Sequence, residues 1–288
     1  MQNITAEIKR EQIGAFREYL NQRENADATI KKYITDISTF LRYLNNESTI
    51  DKQKLLDYKE WLLRRYAVSS VNSMLAALNQ FLEFLNLSFL KVKRVKVQNN
   101  LFLKDEKELT KEEYRRLVKT AAKEGREQLA LCIETIASTG IRISELEFFT
   151  VESVRRDYIE IVNKGKYRRI FLPKVLRQKL ILFARKHGVQ KGAIFVTRNG
   201  KPKNRSNIWR EMKDLEEKAG ISGNKVFPHN LRHLFARIYY SVTKDLAGLA
   251  DLLGHSSLNV TRIYTSNTGK IYQKQLDSLV DLRVRLTT

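Results

Sequence analysis

Residues 91–97 read KVKRVKV, and this short run sets the first limit on how the chain can fold. Before it, apolar residues recur at helical spacing. Within it, valines alternate with basic residues, which is the pattern of extended chain. Four positive charges in seven residues also disfavour an interior position. The expectation is therefore two folded parts: a helical domain over 1–90, a basic linker over 91–106 that can lie along a phosphate backbone, and a second domain over 107–288. A length of 288 residues accommodates two domains of ordinary size.

The first part reads as four amphipathic helices. Residues 5–20 form the first. In the second, Ile30, Tyr33, Ile34, Ile37, Phe40, Leu41 and Leu44 mark one face over four turns, with Asp27 or Thr29 as its N-cap. The third covers about 51–66 with Leu55, Leu62 and Leu63 inward. The fourth covers about 69–87, with Val71, Met74, Leu75, Leu78, Phe81, Leu82 and Leu85 as its stripe. Four such helices make a compact bundle.

The second part opens at Glu108-Leu109-Thr110, where Thr110 and Glu113 have the spacing of a capping box. Helices follow at about 111–124 and 126–139. TGIRISELEFFTVESV then passes through a turn and a short helix, and YIEIV (158–162), KGK (164–166) and RRIFLP (168–173) read as strand, turn and strand. The remainder is helical at about 174–187, 204–219, 229–242, 245–253, 257–264 and 268–281. The fold class is mainly α with a small antiparallel sheet. Three prolines and twelve glycines suit such a chain.

Charge narrows the function classes. Lys and Arg number 53 against 32 Asp and Glu, a net of +21. Only 17 basic and 12 acidic residues fall in 1–105, so most of the surplus belongs to the second domain. That excess exceeds what solubility needs and points to a polyanionic partner. Binding to a membrane surface would need a basic amphipathic helix with exposed aromatics, which the sequence lacks. A single cysteine, Cys132, excludes a disulfide framework and a cysteine-based zinc module; among Leu129, Leu131, Ile133 and Ile136 it reads as a core residue. No apolar run approaches a membrane span, and the polar start MQNITAEIKREQIGAF does not read as a secretory signal, so a cytoplasmic protein is expected.

Basic and titratable residues gather at the ends of predicted elements: Arg142 in TGIRISEL, Lys164 in NKGKYRR, His229 and Arg232 in PHNLRH, His255 in LGHSS and Tyr264 in TRIYT. Two arginines can grip a tetrahedral anion, a lysine can protonate a leaving oxygen, a histidine can move a proton and a tyrosine can attack phosphorus. Together they would stabilise a phosphoryl-transfer transition state without a metal, and the expectation is no cofactor and no metal.

TGIRISEL, the NKGKYRR hairpin, HNLRH and LGHSSLNVTRIY resemble, in order and spacing, the motifs of the tyrosine recombinases, the phage-integrase and Xer-type enzymes. The resemblance covers about 5–280. It implies a two-domain architecture, with an N-terminal four-helix core-binding bundle and a C-terminal catalytic domain closing on a duplex like a clamp. It implies that Arg142 and Arg232 hold the scissile phosphate and that Lys164 protonates the leaving 5′ oxygen. His229 would help move the tyrosine proton, His255 would hydrogen-bond the phosphate, and Tyr264 would form a 3′-phosphotyrosyl link. Glu145 would orient Arg142, with His233 beside the site. The implied partners are a double-stranded recombination site and further copies of the chain: a dimer on each site, a tetramer in the synapse. Helix 268–281 would pack on its own domain or on a neighbouring protomer. The start of the chain implies no additional arm-binding domain.

Alternatives stand beside these expectations. Asn163 occupies a position where glycine is common, and Lys166 is the rival for the role of Lys164. Tyr272 is the rival nucleophile. His229 and His233, four apart, could bind zinc, but no third ligand is evident. His187 reads as a helix-terminal group. Lys91, Lys93, Arg94 and Lys96 are candidate DNA contacts. A type IB topoisomerase would share the catalytic set, and a DNA-binding regulator could keep the fold without the chemistry.

Overall fold

The computed structural model describes residues 5–45, 47–96, 108–163, 166–221, 225–254 and 261, with the side chains of 163 and 166 excepted. The chain divides into two compact units, 1–99 and 100–288.

The first unit contains β1 (Ala6–Glu7), α1 (Gln12–Gln22), α2 (Asp27–Tyr43), β2 (Thr49–Ile50), α3 (Lys52–Leu63) and α4 (Val68–Phe84). Four helices occur as expected, with three local corrections. Residues 5–10 are not helical: β1 pairs antiparallel with β2, Ala6 opposite Ile50, and Ile8 plugs the core. The N-cap of α2 is Ala26, which has no side-chain cap bond, whereas Asp51 caps α3 by accepting from the Lys54 amide at 2.8 Å. Leu63 faces outward at 39% exposure, because α3 ends there and its inward face runs through Leu55, Tyr58 and Leu62. The core is rich in rings: Phe16 meets Phe81 edge-on at 5.0 Å, and Tyr58 lies 4.9 Å from Phe40.

The basic run differs from a free linker over 91–96. Val92 is buried, and its N–H and C=O bond the side-chain amide of Asn79 at 2.8 and 2.9 Å. Three residues on, Val95 makes the same pair of bonds with Asn72 at 2.8 and 2.9 Å. Seven residues of helix rise about 10.5 Å, close to the ~10 Å of three extended residues. The two asparagines on α4 therefore act as peptide-like partners for a segment that no strand accompanies among the described residues. Lys91 bonds Glu83 at 2.6 Å, while Lys93, Arg94 and Lys96 remain exposed.

The second unit contains α5 (Lys111–Lys123), α6 (Glu127–Thr139), a 3₁₀ helix at Ile143–Phe148, β3 (Tyr158–Asn163), β4 (Lys166–Phe171), α7 (Lys174–Lys186), α8 (Arg205–Lys218), α9 (Pro228–Thr243) and α10 (Leu246–Leu253). The Thr110–Glu113 capping box forms in both directions, at 3.1 and 2.8 Å. Strands β3 and β4 pair antiparallel, Asn163 opposite Lys166, and turn Ile159, Ile161 and Ile170 into the core. α6 runs through the centre, with Cys132 fully buried and its thiol pKa pushed up by desolvation. His187 ends α7, where it meets Glu127 at 3.2 Å.

Candidate active site

The site is built on three element ends. α6 stops at Gly140, whose φ of 63° is left-handed. A side chain there would start 2.4 Å from the Phe235 ring on α9, so glycine is required both by conformation and by space. This turn delivers Arg142 to the N-cap position of the 3₁₀ helix. Its backbone N–H donates to Glu145 Oε2 at 2.8 Å, and its guanidinium reaches Oε1 at 3.2 Å. Glu145 is buried, but the Arg142 side chain stays 46% exposed.

α9 begins with Pro228, which suits a first helical position because its missing N–H has no partner there anyway. One turn on, Arg232 is fully buried at 1% exposure, among the largest fully buried side chains described. It donates to Gly140 O at 2.6 Å and to Leu253 O at 2.7 Å, joining the end of α6 to the end of α10. His229 keeps an exposed edge. Desolvation by its surroundings, followed by the positive charges of Arg232, Arg142 and Arg205, holds it below the usual histidine value. It is therefore a neutral imidazole at neutral pH, able to accept a proton. The ring of His233 packs edge-on to it, 4.6 Å away. Among the described residues, no group of three or more His, Cys, Asp or Glu is arranged to hold a metal ion.

α10 is capped at its start by Asp245, which accepts from Gly248 N at 2.8 Å, and ends at left-handed Gly254. Its last turn gathers cations. Arg168 donates to the Leu252 carbonyl at 2.6 Å, Arg232 to the Leu253 carbonyl at 2.7 Å, and Arg142 approaches the Gly254 carbonyl at 3.4 Å. Terminal carbonyls of a helix lack intrahelical partners and carry the negative end of its dipole. Three guanidinium groups on three successive carbonyls complete that end and bring Arg142 and Arg232 to one place, immediately before His255 in the chain.

The structure thus brings together Arg142, Glu145, His229, Arg232 and His233. Lys164, His255, Tyr264, Tyr272 and segment 268–281 lie outside the described residues, as do the side chains of Asn163 and Lys166. Arg168 lies within the NKGKYRR motif, but the motif alone assigns it no role. It sits on β4 two residues before Ile170, on the inward face, and is buried. Its Nη1 bonds both Glu145 oxygens at 3.0 Å. The signal was the alternation itself, which puts a basic residue at an inward strand position.

A helix long and apolar enough to cross a membrane is absent among the described residues. Residues 107–270 match the model of the phage integrase family, and residues 13–86 match that of the phage integrase N-terminal SAM-like domain. The tyrosine recombinase XerA of Pyrococcus furiosus is 29% identical over 273 residues, covering 91% of this chain and 92% of its own. The tyrosine recombinase XerD of Vibrio cholerae is 28% identical over 268 residues, covering 85% and 87%. Among solved structures, a lambda integrase dimer bound to a COC′ core site superposes with a TM-score of 0.73 at 18% identity, covering 91% of this chain and 77% of that one. XerH recombinase bound to its difH substrate gives 0.67 at 20% identity, covering 93% and 84%. From the matched catalytic region, the matched N-terminal domain and relatives aligned along nearly the whole chain, it follows that this protein belongs to the phage integrase family of tyrosine recombinases.

Proposed function

We propose that this chain is a site-specific DNA recombinase that cuts and rejoins duplex DNA through a 3′-phosphotyrosyl intermediate, acting in the cytoplasm. The observation that carries the reading is the seating of Arg142 and Arg232 on the last carbonyls of α10, beside a histidine held neutral. That arrangement presents positive charge where a pentacoordinate phosphate would develop negative charge, and it does so without rearrangement at the moment of reaction.

In the first step the Tyr264 oxygen attacks the scissile phosphorus, its proton passing towards neutral His229. The bond from phosphorus to the 5′ oxygen breaks, and Lys164 protonates that oxygen as it leaves. Arg142 and Arg232 hold the non-bridging oxygens, with His255 as a further donor, while Glu145 and His233 position their neighbours. In the second step the 5′ hydroxyl of the exchanged strand attacks the phosphotyrosyl ester and releases Tyr264. One phosphodiester is traded for another through an ester of similar energy, so the cycle needs no nucleotide to drive it. The relatives' structures include a dimer on a core site and a tetramer on a Holliday junction, and the same assembly is proposed here: two copies on each site and four in the synapse. Exposed Lys93, Arg94 and Lys96 are proposed backbone contacts; Lys91 is already engaged by Glu83.

The test begins by finding the duplex that the protein protects from nuclease, then placing a nick beside the cut position so that the cleaved product cannot religate. The wild type is expected to accumulate a covalent adduct and Tyr264→Phe none, with binding retained. Adducts in Tyr264→Phe that vanish in Tyr272→Phe would move the nucleophile. Relaxation of supercoiled DNA lacking any site would replace recombination by topoisomerase activity.

A further inference from the structure

We infer that Arg168 is the positioning residue that keeps Arg142 available to the phosphate, by neutralising the buried carboxylate that the two arginines share. The inference rests on the function proposed above. Glu145 is buried and faces two guanidinium groups. Arg168 takes both of its oxygens at 3.0 Å, whereas Arg142 holds only Oε1, at 3.2 Å, through its side chain. The division is unequal, and so is exposure: the Arg168 side chain is 8% exposed and that of Arg142 is 46%. One arginine is committed to the protein and the other is left facing outward.

The chemistry explains why two cations are needed. A carboxylate removed from water is stabilised chiefly by a close positive partner with good geometry. With Arg168 in place that need is met, and the Arg142 guanidinium is tethered by two long bonds, to Glu145 Oε1 at 3.2 Å and to the Gly254 carbonyl at 3.4 Å, and by its own backbone. Without Arg168, the remaining cation bonded to Glu145 among the described residues is Arg142. A forked arginine–carboxylate pair is the strongest form open to it, and forming that pair would turn its guanidinium inward, away from a phosphate. Arg168 is itself fixed from a third side. It donates to the Leu252 carbonyl at 2.6 Å, and the Cα of Gly254 lies so close that a side chain there would start 2.8 Å from Arg168 Cδ. A strand residue thus ties the Arg142 turn to the end of α10, and neither can shift without moving its charge.

The experiment measures single-turnover cleavage on the nicked substrate with the full-length protein, alongside DNA affinity. Arg168→Met is expected to cleave roughly tenfold or more slowly, the scale of a lost orienting contact, with affinity unchanged. If the effect passes through Arg142, the two substitutions are not additive: in an Arg142→Ala background, adding Arg168→Met should change the rate by less than about twofold. A residue that merely supports the fold would show its full cost in both backgrounds. Neutralising the carboxylate as well, in Glu145→Gln/Arg168→Met, should recover part of the lost rate, because nothing then draws Arg142 inward. Should Arg168→Met fail to fold, this neutral pair carries the test: it is expected to fold and to cleave faster than Arg142→Ala. Additive losses, a wild-type rate in Arg168→Met, or a neutral pair as slow as Arg142→Ala would each overturn the inference. Failure of the wild type to form any adduct would instead overturn the functional reading beneath it.

Discussion

Phe16, Phe40, Phe81 and Tyr58 fill the interior of the first unit, and the charged group buried with them among the described residues is Asp36, bonded by Lys32 at 2.5 Å across one helical turn. The second unit has its own apolar core along α6, but it also buries Arg168 and Arg232, bonded to the end of α10, and Glu145, bonded to Arg168. The difference separates two uses of burial. Apolar packing is tolerant: volume and pattern suffice to fold a bundle. A buried charge is intolerant, because it is stable only with each partner in place. The first unit can therefore absorb change in its interior at the expense of stability alone, whereas the second has placed its chemistry where stability and activity depend on the same bonds.

The largest expected effect tests the apolar side of this contrast. Phe81→Ala should destabilise the bundle by about 3–5 kcal/mol, the usual cost of emptying a phenylalanine site. Trp61, packed between Tyr43 and Tyr58, would report its unfolding in a Trp209→Phe background. The cleavage rate of bound, folded protein should not change, and a slower rate would break the comparison. Next in size is Arg232→Lys. An ammonium cannot span Gly140 O and Leu253 O as a fork does, so cleavage should fall roughly 10²–10³-fold, the scale of a lost transition-state donor, with DNA affinity little altered. An equal loss of affinity would make Arg232 an ordinary phosphate contact.

Two smaller effects sharpen the contrast, one in each unit. Asn79→Ala strips both partners from the buried Val92 backbone and should cost about 1–3 kcal/mol. Tryptic cleavage after Lys93 and Arg94 should accelerate; unchanged proteolysis would show that the segment is held some other way. The smallest change concerns pH. Protonation removes the His229 base, so the rate should fall on the acid side, with its midpoint below the ordinary histidine value of about 6.5. Arg205→Gln removes the smallest of the charges that disfavour the imidazolium, so the midpoint should move up. A downward move in the pH–rate profile would exclude Arg205 from that field.

Which features were legible follows from how far apart the interacting residues lie. The stripes of α2 and α4, the hairpin and the Thr110 capping box are local patterns, and the residues themselves state them. Arg142, His229 and Arg232 were legible because their motifs carry a family resemblance. The sequence around β1 reads as helix because its strand partner, β2, lies more than forty residues away. The docking of 91–96 was missed for the same reason: Asn72 and Asn79 look like ordinary helix-surface residues until an extended chain lies beside them. Arg168 is not legible from the sequence because a basic residue on a short hairpin is normally solvated. Only the convergence of Glu145 and the Leu252 carbonyl gives it an interior role.

The amide pairs between α4 and the basic run also have a consequence for how this gene can vary. A charged, extended stretch ordinarily accepts insertions and deletions. Here Asn79 and Asn72 read Val92 and Val95 in register, like two teeth of a rack. Removing one residue between the valines would leave three extended positions to be met by two, and would turn Val92 or Val95 to the opposite face. Lysine and arginine should exchange for one another at positions 93 and 94 among related sequences, since either can meet a phosphate, while the spacing between the two valines should not change.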